Sequence, residues 1–139
     1  MNKITYLCVH KSHPILKQKL PKGLHPLMEK FWFSRGLDHI GSCDFAILAF
    51  DKKSSNMSAS NIVGFFRGYI EGGSLEAMGT YVLPKYRNIG MAGRLWKEGI
   101  KYANPFYVNI VATSRDGMKL AKRLSKKHSE IIWDIEKNF

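Results

Sequence analysis

The chain has 139 residues, 45% of them apolar, and carries 22 Lys and Arg against 11 Asp and Glu, a formal net charge of +11. That length and apolar fraction suit one domain, 1–139, whose core stands without disulfide or metal, and they exclude a disordered chain. Cys8 and Cys43 lie far apart and form no CxxC. This excludes a disulfide framework or a zinc knuckle, and the pair reads as buried, reduced thiols.

Ile4 to Val9 is β-branched and aromatic, a first strand. The start of the chain shows no cleavable apolar stretch, and the longest clean apolar run, Phe45 to Phe50, is far too short to span a bilayer. A cytoplasmic protein without a membrane partner is expected. Leu24, Leu27, Met28 and Phe31 have helical spacing. Phe45 to Phe50 has strand length, and the polar stretch from Asp51 to Asn61 reads as a surface loop. Ile62 to Ile70 and Leu75 to Leu83 form an antiparallel pair around the Gly72-Gly73 turn. Gly90 to Ala103 is amphipathic, with Met91, Leu95 and Ile100 near one stripe. Phe106 to Ala112, nearly all apolar, reads as a central buried strand. A second helix follows Asp116, with Leu120, Ala121 and Leu124 as its apolar stripe, and Ile131 to Trp133 closes the pattern. Three consecutive strands followed by alternating helix and strand imply an α/β (α+β) fold, a mixed sheet with helices on its faces.

The charge is concentrated. From Lys85 to Lys127 there are eleven basic residues, opposed only by Glu98 and Asp116. An anionic partner, nucleic acid or a phosphorylated cofactor, is expected to meet the protein there.

The segment Tyr81-Val82-Leu83-Pro84-Lys85-Tyr86-Arg87-Asn88-Ile89-Gly90-Met91-Ala92-Gly93 carries the clearest chemistry. A strand ends at Pro84, a basic turn follows, and small residues open a helix. Such a turn aims unpaired N–H groups one way, and the helix dipole adds positive potential. Small side chains let a phosphate approach the backbone. The segment is therefore a pyrophosphate cradle in kind. It lacks the Gly-Lys-Ser/Thr ending of a Walker loop and the third glycine of the dinucleotide fingerprint.

Arg87-Asn88-Ile89-Gly90-Met91-Ala92 resembles motif A of the GNAT superfamily of acyl-CoA-dependent N-acyltransferases, Arg/Gln-x-x-Gly-x-Gly/Ala. The lead-in from Val82 to Arg87 resembles the family's V-x-P-x-Y-R. The order of elements is also similar over nearly the whole chain. The resemblance implies a sheet of about six to seven strands, splayed at an acyl-CoA slot. It implies acetyl-CoA as co-substrate, with the backbone of Tyr81, Val82 and Leu83 on the pantetheine arm. The N–H groups of Arg87, Asn88, Ile89, Gly90, Met91, Ala92 and Gly93 would then hold the pyrophosphate.

The resemblance also directs attention to the strand before the motif for a general base. Glu76 is the only carboxylate within that strand, and strict alternation would put it on one face with Met78, Thr80 and Val82. The plain alternative is a surface glutamate near the turn, and Glu71 is a second candidate. Where the family often has a tyrosine acid on the last helix, this chain has Ser125. Where it has an asparagine after the penultimate strand, Ser114 lies nearby. Tyr107, Tyr81 or a water are the substitutes for the acid. No histidine pair has metal-ligand spacing on an evident helix, so no metal is expected.

The expected function is acyl transfer to a primary amine of unidentified acceptor, small molecule, peptide or protein, with anionic acceptors favoured by the overall charge. The acceptor pocket is expected beside the N-terminal helix and the Asp51 to Asn61 loop. Two alternatives stand beside it. One is a nucleic-acid-modifying transferase on the same fold, with Phe31, Trp32 and Phe33 stacking bases beside Lys30 and Arg35. The other is a non-catalytic module that binds CoA or a protein partner. A homodimer is compatible with every reading.

Overall fold

A computed structural model of the chain describes residues 3–10, 12–20, 24, 26–34, 43–52 and 57–139. Its elements are β1 (Lys3–His10), α1 (Pro26–Ser34), β2 (Cys43–Lys52), β3 (Ile62–Glu71), β4 (Ser74–Val82), α2 (Met91–Ala103), β5 (Tyr107–Ala112), α3 (Arg115–Lys127) and β6 (Ile132–Lys137). They form one six-stranded sheet in sequence order. β1 to β4 pair antiparallel, and β4, β5 and β6 pair parallel.

The connectivity determines where the helices lie. The crossovers β4–α2–β5 and β5–α3–β6 advance in the same direction across the sheet, and right-handed crossovers then put both helices on one face. On that face Met91, Leu95, Trp96 and Ile100 of α2 and Leu124 of α3 pack with Phe45, Ile47, Phe66, Leu75 and Val108. Alternation sends the intervening residues the other way, where Met28, Phe31 and Trp32 of α1 pack with Ala46, Leu48, Phe50 and Phe65. Phe31 and Trp32 are therefore core rather than a base-stacking surface, and the Trp32 indole N–H donates to the Gln18 carbonyl at 2.9 Å. The side chains of Lys30 and Phe33, and all of Arg35, lie outside the described residues.

Two expectations need correction. β5 lies inside the sheet, but only its α2/α3 face is covered: Val108 and Ala112 are buried, while Val111 is 44% exposed. α1 packs against β2 and β3, so the same face of β5 and β6 meets solvent, as Ile132 does. Cys8 is half-buried on the edge strand rather than in the core, and the Cys43 side chain lies outside the described residues.

α2 approaches the sheet closely at Gly99, where an added Cβ would stand 2.7 Å from the Phe66 ring. Phe66 is itself enclosed, with its ring centroid 4.8 Å from that of Trp96. Gly99→Ala should therefore destabilise the protein by about 1–3 kcal/mol through overpacking, although alanine normally improves a helix. Thermal unfolding checks the sign.

Candidate functional site

β4 and β5 stay in register only from Ser74↔Tyr107 to Ala77↔Ile110. Beyond that point β4 continues to Val82 and β5 to Ala112 without pairing, so the two strands part into a slot. A β-bulge sits at the parting. The register with β3 passes from Ala77↔Gly68 to Gly79↔Arg67, leaving Met78 without a partner, and Gly79 takes φ 143°.

The bulge redistributes the side chains. Glu76 stands opposite Tyr69, while Thr80 and Val82 stand opposite Phe66 and Gly64, which is the other parity of β3. Glu76 is thus on the α1 face and exposed, not on one face with Thr80 and Val82 as strict alternation implied. It lies at the foot of the slot, opposite Asn109, in a pocket of about 310 Å³ lined also by Tyr69, Ser74 and Tyr107. A larger pocket of about 410 Å³ lies at the β1 edge against α2, three strands from β4, and takes no part in the slot.

The backbone groups open to a ligand follow from one hydrogen bond. The Leu83 N–H donates to the Val63 carbonyl at 2.9 Å, so residue 83 faces β3. Alternation makes Tyr81 and Gly79 face β3 as well and turns Thr80 and Val82 toward the slot. The expected span Tyr81–Leu83 therefore contributes Val82, and Thr80 is the residue the sequence reading missed.

A short 3-10 turn, Pro84–Tyr86, follows β4. Its outward thrust is fixed at two points. The Tyr86 hydroxyl donates a short hydrogen bond to Asp51 Oδ2, which pushes the Tyr86 phenol up from its usual pKa. Arg87 Nε donates to the Val82 carbonyl at 2.8 Å, with its guanidinium 5.4 Å from the Tyr81 ring centroid. The Arg87 N–H closes the turn onto Pro84, so it is not free for an anion.

From there the chain turns through two left-handed residues, Asn88 (φ 66°) and Gly90 (φ 82°), into α2. The first bond of the helix ladder is Arg94 N–H to the Gly90 carbonyl. The N–H groups from Asn88 to Gly93 have no partner among the described residues. Asn88, Ile89 and Gly90 are exposed, and an added Cβ at Gly90 or Gly93 would meet nothing within 4 Å. Six consecutive donors at a helix N-terminus, with open space over both glycines, fit a phosphate group.

The remaining expected site residues are otherwise engaged. Ser114 is the N-cap of α3, its hydroxyl oxygen accepting from the Gly117 N–H at 3.0 Å. The Ser125 hydroxyl donates to the Lys122 carbonyl at 2.8 Å within its own helix, which removes it as a ready proton donor. Tyr107 starts β5, at the end away from the slot, and donates to Asp134 at 2.9 Å, which raises its pKa. Tyr81 packs on the α1 face. Among the described residues no group of three metal-ligating side chains occurs. The part of the expected acceptor pocket formed by residues 53–56 lies outside the described residues.

The sequence reading also passed over Arg67. It is buried, 1% exposed, and Nη2 meets Asp44 Oδ2 at 3.0 Å, while Nε and Nη1 have no partner among the described residues. Its register neighbours are Ala46 and Gly79, small residues that leave room for a guanidinium beside the bulge.

No family model and no curated protein matches the chain. Solved structures do. NAA60 of Arabidopsis thaliana in complex with acetyl-CoA superposes with a TM-score of 0.59 at 16% identity, over 88% of this chain and 84% of that one. The GNAT family acetyltransferase of Streptococcus pneumoniae TIGR4 gives 0.54 at 18%, over 90% and 86%. A ribosomal-protein-alanine N-acetyltransferase of Brucella melitensis gives 0.53 at 16%, over 88% and 90%. The chain has the GNAT fold. The fold expected from the Arg87–Ala92 motif is thus present, at the lower end of the expected strand number. Within the GNAT fold of this chain, the motif residues occupy the turn between β4 and α2 and the first two positions of α2, at the mouth of the parted strands.

Proposed function

We propose that this protein is an acyl-CoA-dependent N-acyltransferase that passes an acetyl group from acetyl-CoA to a primary amine. The observation that carries the reading is the run of N–H groups from Asn88 to Gly93, without partners among the described residues, at the mouth of the β4–β5 slot. Acetyl-CoA would supply the activated acetyl thioester. The cradle binds its pyrophosphate through charge-assisted hydrogen bonds and the α2 dipole. The backbone of Thr80 and the N–H of Val82, whose carbonyl accepts from Arg87, hold the amide-bearing arm as a neighbouring strand would, which orients the thioester toward the bulge.

The acceptor enters from the α1 face, where Glu76 and Glu71 line an open pocket and Asp134 accepts from its Tyr107. Carboxylates there draw a cationic amine, in contrast to the anionic acceptor that the overall charge suggests. Glu76, at the foot of the slot, takes the proton that the amine must lose. With Ser125 bonded to its own helix, the departing thiolate takes its proton from solvent.

Calorimetry with acetyl-CoA, followed by thiol release over a panel of amines, tests the reading. Glu76→Gln should lower kcat by about 100-fold or more while leaving acetyl-CoA affinity unchanged. Absence of acetyl-CoA binding by the wild type would overturn the proposal. Binding without turnover on any amine would leave a CoA-binding module instead.

A further inference from the structure

Seven residues of α3 are exposed, and six of them are cations: Arg115, Lys119, Lys122, Arg123, Lys126 and Lys127, with Asp116 the seventh. None of the six has an ion pair or side-chain hydrogen bond among the described residues. Nor are they independent. Arg115–Lys119, Lys119–Lys122, Lys119–Arg123, Lys122–Lys126, Arg123–Lys126 and Arg123–Lys127 stand three or four residues apart, the spacing at which like charges repel on a helix. Arg115 also opposes the positive end of the helix dipole. Lys126 and Lys127 complement the negative end of the dipole, but a glutamate at Arg115, Lys119, Lys122 or Arg123 would relieve these repulsions, so the stability of the helix does not account for the whole pattern.

The acyl-CoA site does not account for it either. α3 leaves the end of β5 that flanks the slot and runs back along the sheet. Thirteen residues of helix span about 20 Å, so the stripe from Lys122 to Lys127 leads away from the cradle.

We propose that the solvent face of α3 docks the phosphate backbone of nucleic acid. The exposed residues of the face are all charged: of the helix's apolar residues Ala121 and Leu124 are buried, and Met118 and Leu120 are half-buried. It therefore lacks the apolar centre of a protein–protein interface and the apolar side that an interfacial helix inserts into a bilayer. A rigid line of cations without base-reading groups makes contacts that are independent of sequence.

Fluorescence anisotropy with a labelled 20-base-pair duplex, from 50 to 200 mM NaCl, is the test. If about four phosphates are neutralised, log Kd should rise with log salt at a slope of about 4. Replacing Lys119, Lys122, Arg123 and Lys126 together by Gln should bring that slope down to about 1 or less and weaken binding at least tenfold. The same variant should melt no lower than wild type, since repulsions are relieved, and should keep acetyl-CoA affinity. A control with Lys3, Lys17 and Lys19 changed to Gln should retain the wild-type slope. Equal losses in both variants would overturn the proposal, because net charge rather than α3 would then be responsible. Displacement of the duplex by polyglutamate at equal charge concentration, or tighter binding to phosphatidylserine vesicles, would overturn it in favour of an acidic protein or a membrane.

Discussion

Gly93→Glu should raise the melting temperature and at the same time weaken acetyl-CoA binding on the order of 100-fold. Gly93 is the third residue of α2, and an added Cβ there meets nothing within 4 Å. Replacing a helical glycine by a better former gains about 1 kcal/mol, and a carboxylate in the first turn complements the helix dipole. For a domain of this size that corresponds to a rise of about 3–4 °C. Binding moves the other way. The new carboxylate fills the space over the N–H groups and places a negative charge where the pyrophosphate must lie. A like charge about 4 Å away costs about 4 kcal/mol at an effective dielectric near 20. Screening and side-chain swing reduce this, and a loss on the order of 100-fold in affinity remains. Gly93→Gln separates filling from charge and should show the smaller loss. A Gly93→Glu protein that melts higher yet binds like wild type would remove the cradle from the mechanism. Gly90→Glu is a less informative partner, because its φ of 82° adds backbone strain to the same electrostatic effect.

The opposite signs at Gly93 show why this part of the site was legible in the sequence. Stability alone would favour another residue at the third position of a helix. A glycine retained there, two residues after a strand–turn–helix junction that already has Gly90, signals that the backbone must be approached. The same local logic covers the strand and helix boundaries, where the turn glycines, Pro84 and Asn104-Pro105 mark element ends that agree closely with the structure. Three features were not legible for one shared reason: each depends on pairing between segments. The bulge at Met78 changes the face of Glu76, and its only local signal is Gly79 within a strand. The use of the Leu83 N–H depends on β3. The bare face of β5 depends on α2 and α3 lying together on the other side, which residues 107–112 cannot encode alone. Ser114 is the contrary case. Its cap, with Gly117 three residues on, was readable as a helix start, and a family correspondence drew attention toward a ligand instead.

Arg67 and Asp44 carry the largest expected effect on stability. Their side chains are 1% and 2% exposed and meet at 3.0 Å. Asp44→Asn keeps the shape but leaves a buried guanidinium without its counterion, which costs about 3–5 kcal/mol. The melting temperature should fall by about 10–15 °C. Because Arg67 stands in register with both Ala46 and Gly79, the same change loosens β2 and β3 where β4 bulges away from β5. Arg67→Met combined with Asp44→Leu removes both charges, and replacing a buried pair by apolar groups of similar size is close to neutral or stabilising. The double variant should therefore recover most of the stability lost by Asp44→Asn. It should also bind acetyl-CoA within about twofold of wild type, since the donors from Asn88 to Gly93 lie on another segment. Recovery in the double variant would assign the deficit of Asp44→Asn to the uncompensated charge. A double variant as unstable as the single one would show that the hydrogen-bonded shape of the pair, not its charge balance, holds the sheet together beside the bulge.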